Sequence, residues 1–240
     1  MPENQLTPLV RRLKSVANLL ERSQSTLLSL HYRIVRYDAG NELYKAGTVD
    51  PPCFILLEGC ATRFKLRSDG SRAIVAVELM GDIINPEALL LGRADCGARV
   101  STPSTIAIVE QEAIQQARKA DRDLESTLWR YALVKAAALE EWLLNVGRRS
   151  PTGRLAHLFL ELHLRLIAVE ASTEDTLKLY VSPEELADAM GLFPIIVTRC
   201  LHDLASQNAI VLSGAAIVLC DVGQLAKIGD FRSEYLHFAG

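Results

Sequence analysis

The fold of this chain is decided by V-S-P-E-E-L-A-D-A-M-G-L-F-P-I-I-V-T-R-C-L-H-D-L-A-S-Q-N-A-I, residues 181–210. Its first part carries the signals of a short, capped helix. The Ser182 hydroxyl can accept a hydrogen bond from the Glu185 amide while the Glu185 carboxylate reaches back, which is the capping-box pattern. Pro183 suits the first helical position, and Gly191 suits the left-handed turn that ends a helix.

A second helix follows at once and begins at Pro194. Its apolar residues Val197, Leu201 and Leu204 recur at the spacing of one helical face. Ala187 lies four positions before the turn glycine, where two steeply crossing helices need a small side chain in order to touch. This spacing predicts a helix-turn-helix, whose second helix enters the major groove of DNA. The alternative is a helical hairpin that serves only packing.

Few side chains on the second helix can read DNA. Arg199 could form a bidentate pair with a guanine edge, whereas Ile195 and Ile196 offer only apolar contact with thymine methyl groups. The candidate DNA contacts are Ser182, Pro194, Ile195, Ile196, Thr198, Arg199 and His202.

Cys200 follows directly on the same helix, and two interpretations of it stay open. As a small apolar residue it would pack against the first helix of the motif. If it is exposed on the DNA-facing rim, oxidation to a sulfinate or sulfonate would repel phosphate and weaken DNA binding.

Composition and length set broad limits. The chain has 240 residues, 49% of them hydrophobic and 23% charged, which predicts a globular protein with room for two domains. It contains no apolar run of the about 20 residues that span a bilayer, and its beginning lacks a secretory pattern. We therefore expect a cytoplasmic protein without a membrane partner.

The five cysteines form no C-x-x-C pair and no cluster with histidine. This pattern favours reduced, mostly buried thiols and predicts neither a metal site nor a bound cofactor. No nucleophile–base pair occurs at usable spacing, so an enzyme is not expected.

The charge distribution is unusual for a DNA-binding protein. Residues 148–240 hold eight Lys/Arg and eleven Asp/Glu, whereas residues 1–147 hold eighteen of each. A DNA-binding domain is normally basic, because neutralising phosphates supplies most of its affinity.

From Tyr32 onward the apolar period changes from helical to strand-like. Short runs rich in β-branched residues alternate with glycine turns up to Val109, and Asp69-Gly70 is typical of a primed hairpin turn. This pattern predicts a compact antiparallel barrel or sandwich, with helices over residues 7–30 as its cover.

A helix of about seven turns is predicted next, from Asp121 to Val146. Its apolar residues recur at steps of three and four, which favours a seam against a second copy of the chain, although a core helix of a monomer would look similar. The seam consists of Leu124, Leu128, Tyr131, Lys135, Ala138 and Trp142. Ser150-Pro151 begins the next helix, and a two-stranded wing is expected around residues 210–219.

The glycines of the strand region resemble the turn glycines of cyclic-nucleotide-binding β-rolls. They are Gly40, Gly47, Gly59, Gly70 and Gly81. With N-V-G-R-R-S-P-T-G-R-L (residues 145–155), E-E-L-A-D-A-M-G-L (residues 184–192) and the wing, the chain from about Leu20 to Phe231 resembles regulators of the Crp/Fnr superfamily. The resemblance implies an effector bound in the β-roll that repositions two long dimer helices, a two-fold symmetric operator, and RNA polymerase as a further partner.

One departure from the family concerns the effector. Cyclic-AMP receptors hold the nucleotide phosphate with an Arg-Ser pair, where we place Ala94 and Asp95. A carboxylate there would repel phosphate, so we expect an effector other than cyclic AMP. The candidate effector pocket consists of Asp82, Glu87, Arg93, Asp95 and Arg99. The cysteines of the iron–sulfur branch are missing, and His31 is the candidate axial ligand if the chain belongs to a haem branch.

The sequence therefore predicts an α+β fold with three parts. They are a β-roll sensor domain over residues 1–120, a dimerisation helix and hinge over 121–147, and a winged helix-turn-helix over 148–240. The expected function is that of a homodimeric, non-enzymatic transcription regulator. The alternative is a sensor or interaction module of the same fold that has lost specific operator binding.

Overall fold

The computed structural model describes residues 4–171, 181–213 and 216–239. Two helices come first, α1 (Thr7–Val16) and α2 (Glu21–Leu28). Thr7 does not cap α1, because the helix begins after Leu6 and the Thr7 hydroxyl donates to the carbonyl of Asn4.

Seven strands and one short helix, α3 (Pro86–Leu91), form the amino-terminal domain. The strands are β1 (Arg33–Tyr37), β2 (Glu42–Tyr44), β3 (Cys53–Glu58), β4 (Ala61–Leu66), β5 (Arg72–Glu78), β6 (Gly97–Val100) and β7 (Ser104–Val109). They pair antiparallel in two sheets, β1-β7-β3 and β2-β6-β4-β5. The two sheets enclose a core of alternating apolar residues that includes Phe54, Leu56, Ala98 and Ile106. The expected antiparallel roll is confirmed.

Three local predictions in this domain were wrong. The hairpin turn has positive φ only at Gly70, whose amide donates to the Arg67 carbonyl, so it is not a primed turn. Ile83-Ile84 is one of the short β-branched runs that predicted strands, but Ile83 forms only an isolated bridge with Ile55. The strands β2 and β6 were missed because they are three and four residues long and lie beside turns.

Two helices follow the roll, α4 (Gln111–Ala120) and α5 (Arg122–Arg148), the latter with 27 residues. The Asp121 carboxylate caps α5 by accepting from the amides of Asp123 and Leu124. The Ser150 hydroxyl caps the next helix, α6 (Pro151–Ile167), as expected.

The helix-turn-helix consists of α7 (Pro183–Met190) and α8 (Pro194–Ser206). Its capping box is confirmed, and Gly191 ends α7 with a φ of 62°. The predicted wing is present as β8 (Ile210–Ser213) and β9 (Ala216–Leu219), which pair antiparallel. A last helix, α9 (Val222–Gly229), precedes a segment with one short 3-10 turn (Glu234–Leu236).

The sheet domain and the helix-turn-helix share one hydrophobic core. Phe64, Ile74 and Val77 of strands β4 and β5 belong to the same buried cluster as Phe159 of α6 and Leu186 of α7. The helix-turn-helix part therefore packs directly on the sheet and is not connected to it only through α5.

Candidate DNA-binding surface and effector cavity

Helix α8 has one buried face and one exposed face. Val197, Cys200 and Leu204 are buried against α6 and α7, at the spacing of a helical stripe. The opposite face carries the predicted DNA contacts Pro194, Ile195, Thr198, Arg199 and His202, all of them exposed. Because this face is the one that a helix-turn-helix lays in the major groove, the structure brings these residues together on one surface.

Three of the predicted contacts have another role. Ile196 is half-buried and packs on the core, and the Thr198 hydroxyl donates to the Pro194 carbonyl at 3.1 Å. Ser182 is exposed at the start of α7, where its hydroxyl accepts from the Glu185 amide at 3.2 Å. Of the predicted contacts, Arg199 and His202 therefore remain as exposed polar side chains without such a role.

The redox hypothesis for Cys200 required an exposed thiol. The side chain is only 4% exposed and belongs to the core between α8 and the rest of the domain. The structure contradicts the exposed placement, because the thiol faces the packed side of the helix. Cys220 is the exposed cysteine instead.

Helix α7 is held on the β-roll by charged groups. Arg72 of β5 donates from Nε and Nη2 to Asp188 Oδ2, at 2.8 and 2.5 Å. Arg99 Nη2 and the Ser101 hydroxyl both donate to Glu185 Oε1, at 2.9 and 2.8 Å. The capping glutamate of α7 is therefore also an anchor between the two domains.

The residues predicted as a dimer seam face the chain's own core. Leu124, Leu128, Tyr131 and Trp142 are all at most 5% exposed, Lys135 contacts the buried Glu78, and Ala138 lines a cavity. A second copy cannot reach these side chains, so the structure contradicts the predicted seam. The remaining surface of α5 exposes large apolar side chains, one of which, Leu139, also borders the cavity described below. They are Trp129, Leu133, Leu139, Leu143 and Leu144.

A cavity of about 160 Å³ lies between β4–β5, α5, α6 and the carboxyl-terminal segment. Most of its wall is apolar. The apolar lining comprises Val16, Val75, Val77, Val134, Ala138, Leu139, Trp142, Leu236 and Phe238. The remaining lining, the charged end of the cavity, includes acidic and basic side chains from α1, β4, α5 and α6 together with Asp82, so the sheet, the long helix and the helix-turn-helix part meet here.

Asp82 is the centre of that charged end. Arg12 Nε lies 3.0 Å from its Oδ1, Arg165 Nη2 donates to its Oδ2 at 2.6 Å, and the Tyr131 hydroxyl donates to it at 3.0 Å. Burial alone would raise the pKa of Asp82, but the two guanidinium groups outweigh it and hold that pKa well below its usual range.

Glu78 lies beside this group and is completely buried. Lys135 contacts it, and Arg63 Nη1 lies 3.8 Å from its Oε1 while Arg63 Nη2 binds Glu87. Burial raises the pKa of Glu78 although these cations lie against it. The cations and carboxylates at this end of the cavity are therefore already paired with one another.

The predicted effector residues do not form one pocket. Asp82 belongs to the buried network, Glu87 pairs with Arg63, and Arg99 anchors Glu185. Arg93 and Asp95 are exposed, and Cys96 rather than Asp95 lines the cavity. The prediction was wrong because a loop sequence does not show which of its side chains point inward.

Sequence reasoning missed Arg12 and Arg165 and assigned Lys135 to the dimer seam instead of the cavity. Arg12 is buried and the other two are half-buried, and all three lie on amphipathic helices, where a charged residue among apolar neighbours is the available signal. His31 is exposed, so it does not lie in a haem-type cavity. Among the described residues, no group of three or more His, Cys, Asp or Glu could hold a metal ion, and no helix is long and apolar enough to cross a membrane.

Two family models match the chain. The cyclic nucleotide-binding domain matches residues 34–121, and the Crp-like helix-turn-helix domain matches residues 153–228. The chain is 26% identical over 185 residues to the nitrogen fixation regulation protein FixK of Rhizobium meliloti (strain 1021), covering 77% of this chain and 81% of that protein. FixK of Bradyrhizobium diazoefficiens is 24% identical over 217 residues, covering 90% of each chain.

The chain belongs to the Crp/Fnr family of transcription regulators. Solved structures of this family share its fold. FixK2 from Bradyrhizobium japonicum superimposes with a TM-score of 0.74 at 24% identity, covering 83% of this chain and 98% of that one. The c-di-GMP responsive global regulator CLP of Xanthomonas campestris gives a TM-score of 0.63 at 17% identity, covering 83% and 99%.

In Crp/Fnr terms, the exposed face of α8 belongs to the matched helix-turn-helix domain, whereas the charged lining of the cavity comes from both matched domains and from α1 and α5. Tyr131, Lys135 and Trp142 of α5 lie between the two matched regions and contribute to the cavity. The long helix is thus the element that contacts both domains.

Proposed function

We propose that this Crp/Fnr chain is a homodimer that binds a two-fold symmetric operator through α8 and responds to a small-molecule effector other than cyclic AMP. The observation that carries the proposal is the exposed face of α8, where Arg199 and His202 are free to meet base edges. Arginine pairs with guanine in the major groove, and one such pair discriminates against a wrong base by about 1–3 kcal/mol. RNA polymerase is the further partner that a regulator of this kind recruits or blocks.

The dimer is supported by the outward face of α5. Trp129, Leu139 and Leu143 are spaced at steps of ten and four residues, with Ala132 and Ala136 between them, so the row follows a heptad pattern. Leu143 is 72% exposed and Leu133 is 64% exposed, and a second copy of the helix would bury this apolar surface. Two copies paired along α5 would present two copies of α8, which matches a two-fold symmetric operator.

The exclusion of cyclic AMP is supported by the charges at the cavity. Glu78 and Asp82 are buried carboxylates, and the nearby cations Arg63, Lys135 and Arg165 already bind carboxylates. A cyclic nucleotide would bring a phosphate to groups whose charge is already neutralised, and it would have to break buried ion pairs to bind.

The experiment is a gel shift of the purified chain against genomic fragments, at low and at physiological salt, followed by sequencing of the retained fragments. We expect enrichment of a symmetric sequence that survives physiological salt. Light scattering should give twice the 26.4 kDa mass of the chain at micromolar concentration. Isothermal calorimetry with cyclic AMP should give no heat at concentrations below about 1 mM, in the range of weak affinities.

A second candidate is an interaction module that has lost operator binding. Phe193 and Ile195 at the start of α8 are 76% and 68% exposed, and an apolar first turn suits a protein partner better than a base edge. Retention of fragments only at low salt, without sequence enrichment, would favour this candidate.

A further inference from the structure

The carboxyl-terminal segment, residues 230–239, runs from the DNA-binding domain back to the amino-terminal helices. It leaves α9 at Asp230, passes along α5, and ends where the Ala239 amide donates to the Ser15 carbonyl of α1 at 2.8 Å. It therefore crosses the junction of the sheet domain, the long helix and the DNA-binding domain.

The segment closes the effector cavity. Leu236 and Phe238 both line it, and Leu236 is only 3% exposed. Beside them, the Tyr235 hydroxyl donates to Glu161 Oε2 at 2.9 Å, and the Trp142 indole donates to the same oxygen at 2.9 Å. The segment is thus attached to α5 and α6 through groups that also line or border the cavity.

The charges around the cavity favour an uncharged occupant. Each of the cations Arg12, Arg63, Lys135 and Arg165 has a carboxylate partner among Glu78, Asp82, Glu87 and Glu161. An ionic ligand would have to displace one partner of a buried pair and leave the other unpaired. Lys65 is the exception, but it lies exposed at the rim. An uncharged molecule could pack against the apolar wall in the place where Leu236 and Phe238 now pack.

We propose that residues 230–239 are a strap that closes the cavity and ties the DNA-binding domain to α1, and that an uncharged, mostly apolar ligand displaces Leu236 and Phe238 and so releases the strap. The present volume of about 160 Å³ is close to the about 150 Å³ of a cavity that holds a benzene-sized molecule. A larger ligand binds only when the two side chains leave. The proposal rests on the effector response proposed above, takes this cavity as its site, and gives it a ligand class and a route to α1.

The test uses the fluorescent dye N-phenyl-1-naphthylamine, which is uncharged and larger than the closed cavity. Truncation after Ser233 should tighten its binding by at least about tenfold, because apparent affinity is reduced by the fraction of molecules in which the site is closed. Leu236→Ala and Phe238→Ala should each change affinity in the same direction by less. Glu234→Ala, an exposed position of the same segment, is the matched control and should bind as the wild type does.

The ligand class is tested with 8-anilino-1-naphthalenesulfonate, which has the same rings and an added sulfonate. The truncated chain and both alanine variants should bind the uncharged dye more tightly than the sulfonated one. Equal or tighter binding of the sulfonate would overturn the uncharged class and indicate that Lys65 or a released arginine takes the anion.

Release of the strap is measured by hydrogen exchange without DNA. Both the uncharged dye and Leu236→Ala should speed amide exchange at the end of α1, around Ser15, and in α6 near Glu161. If the truncated chain stays folded and neither dye affinity nor exchange changes, the strap does not close the cavity. Because neither readout involves DNA, these outcomes do not depend on whether the chain binds an operator.

Discussion

Arg199 differs from three other arginines of the DNA-binding domain in how its side chain is held. Arg149, Arg154 and Arg165 bind carboxylates or carbonyls of their own chain, whereas Arg199 stands exposed on α8 with no carboxylate partner among the described residues. A guanidinium group that no internal contact fixes keeps its donors for a base edge or a phosphate.

Arg199→Ala should lower the affinity for the selected operator by about 1–3 kcal/mol and relax specificity at one base pair of each half-site. Fluorescence anisotropy with the operator and with single-base variants measures both effects. Arg232→Ala is the control, since Arg232 is exposed in the same domain but lies after α9. A uniform loss across all sequences would mean that Arg199 contacts phosphate instead.

The cysteines differ in reactivity because four of them are buried. Burial raises the pKa of Cys53 and of Cys60 to about 12, so both remain protonated at neutral pH, and the thiolate is the reactive form. We expect a thiol reagent at pH 7.5 to modify Cys220 rapidly and to reach the other four only after denaturation. Peptide mapping of the labelled chain checks this. Fast labelling of Cys200 in the native chain would contradict its buried position and would support an exposed thiol on the DNA-facing side of α8.

Most exposed residues of α8 could be predicted from sequence, because the predicted stripe of Val197, Leu201 and Leu204 leaves one other face. The structure buries Cys200 more deeply than Leu201, a difference that the spacing alone does not show. The effector residues could not be predicted. Asp95 and Cys96 are neighbours in one loop, and which of them lines the cavity depends on how the loop enters β6. Asp82 appears in sequence as a turn residue, and only the approach of Arg12 and Arg165 from distant helices makes it a buried hub.

At the scale of elements, helix α5 shows that a heptad pattern of apolar residues does not predict which part of the protein packs against each face of the helix. Both of its faces carry apolar residues at steps of three and four, and the face with Leu124 and Leu128 packs on the β-roll. The face with Leu139 and Leu143 stays exposed. The start, length and caps of α5 and α6 follow from local residues such as Asp121 and Ser150, whereas the choice of face depends on the rest of the fold.

Leu143→Glu should shift the chain from dimer to monomer, because two charges would meet in an apolar seam. At equal protein concentration, its thermal unfolding midpoint should fall only by the amount that dimer association contributes to apparent stability. Leu128→Glu buries a charge in the core and should instead unfold the chain. Light scattering and circular dichroism distinguish these results. Arg148→Glu, exposed on another side of α5, is the control and should remain a dimer.

At the scale of the whole molecule, the two domains are joined by ion pairs and by a shared hydrophobic core, and not only by a hinge at the end of α5. Arg72 and Arg99 anchor α7, Arg165 links α6 to Asp82, and the shared core includes Phe64 and Ile74. These contacts form a continuous packed connection between the cavity and α8, through which we expect a change at the cavity to act. The two domains and their order were evident from sequence patterns, but this junction was not, because each of its contacts joins residues far apart in the chain.

His157 gives this junction a pH dependence. The side chain is fully buried in α6, between Phe231 and Tyr235, and neither ring nitrogen has a hydrogen-bond partner among the described residues. Glu141 Oε1 lies 3.3 Å from Nε2, but it already accepts from Arg149 at 2.6 Å. Burial, together with the charge of Arg149, lowers the pKa of His157 to about 3.

The imidazole is therefore neutral in the folded chain at pH values where the unfolded chain, with an ordinary pKa of about 6.5, binds a proton. Above about pH 6.5 this histidine does not change the free energy of unfolding with pH. As the pH falls from about 6.5 toward about 3, the free energy of unfolding decreases by about 1.4 kcal/mol per pH unit for one proton. Urea unfolding at pH 7, 6 and 5 should show this slope in the wild type. His157→Phe, which keeps an aromatic ring between Phe231 and Tyr235, should lower the slope by that of one proton. His202→Ala, an exposed histidine, should keep it. An unchanged slope in His157→Phe would mean that the buried imidazole is protonated in the fold and paired with Glu141.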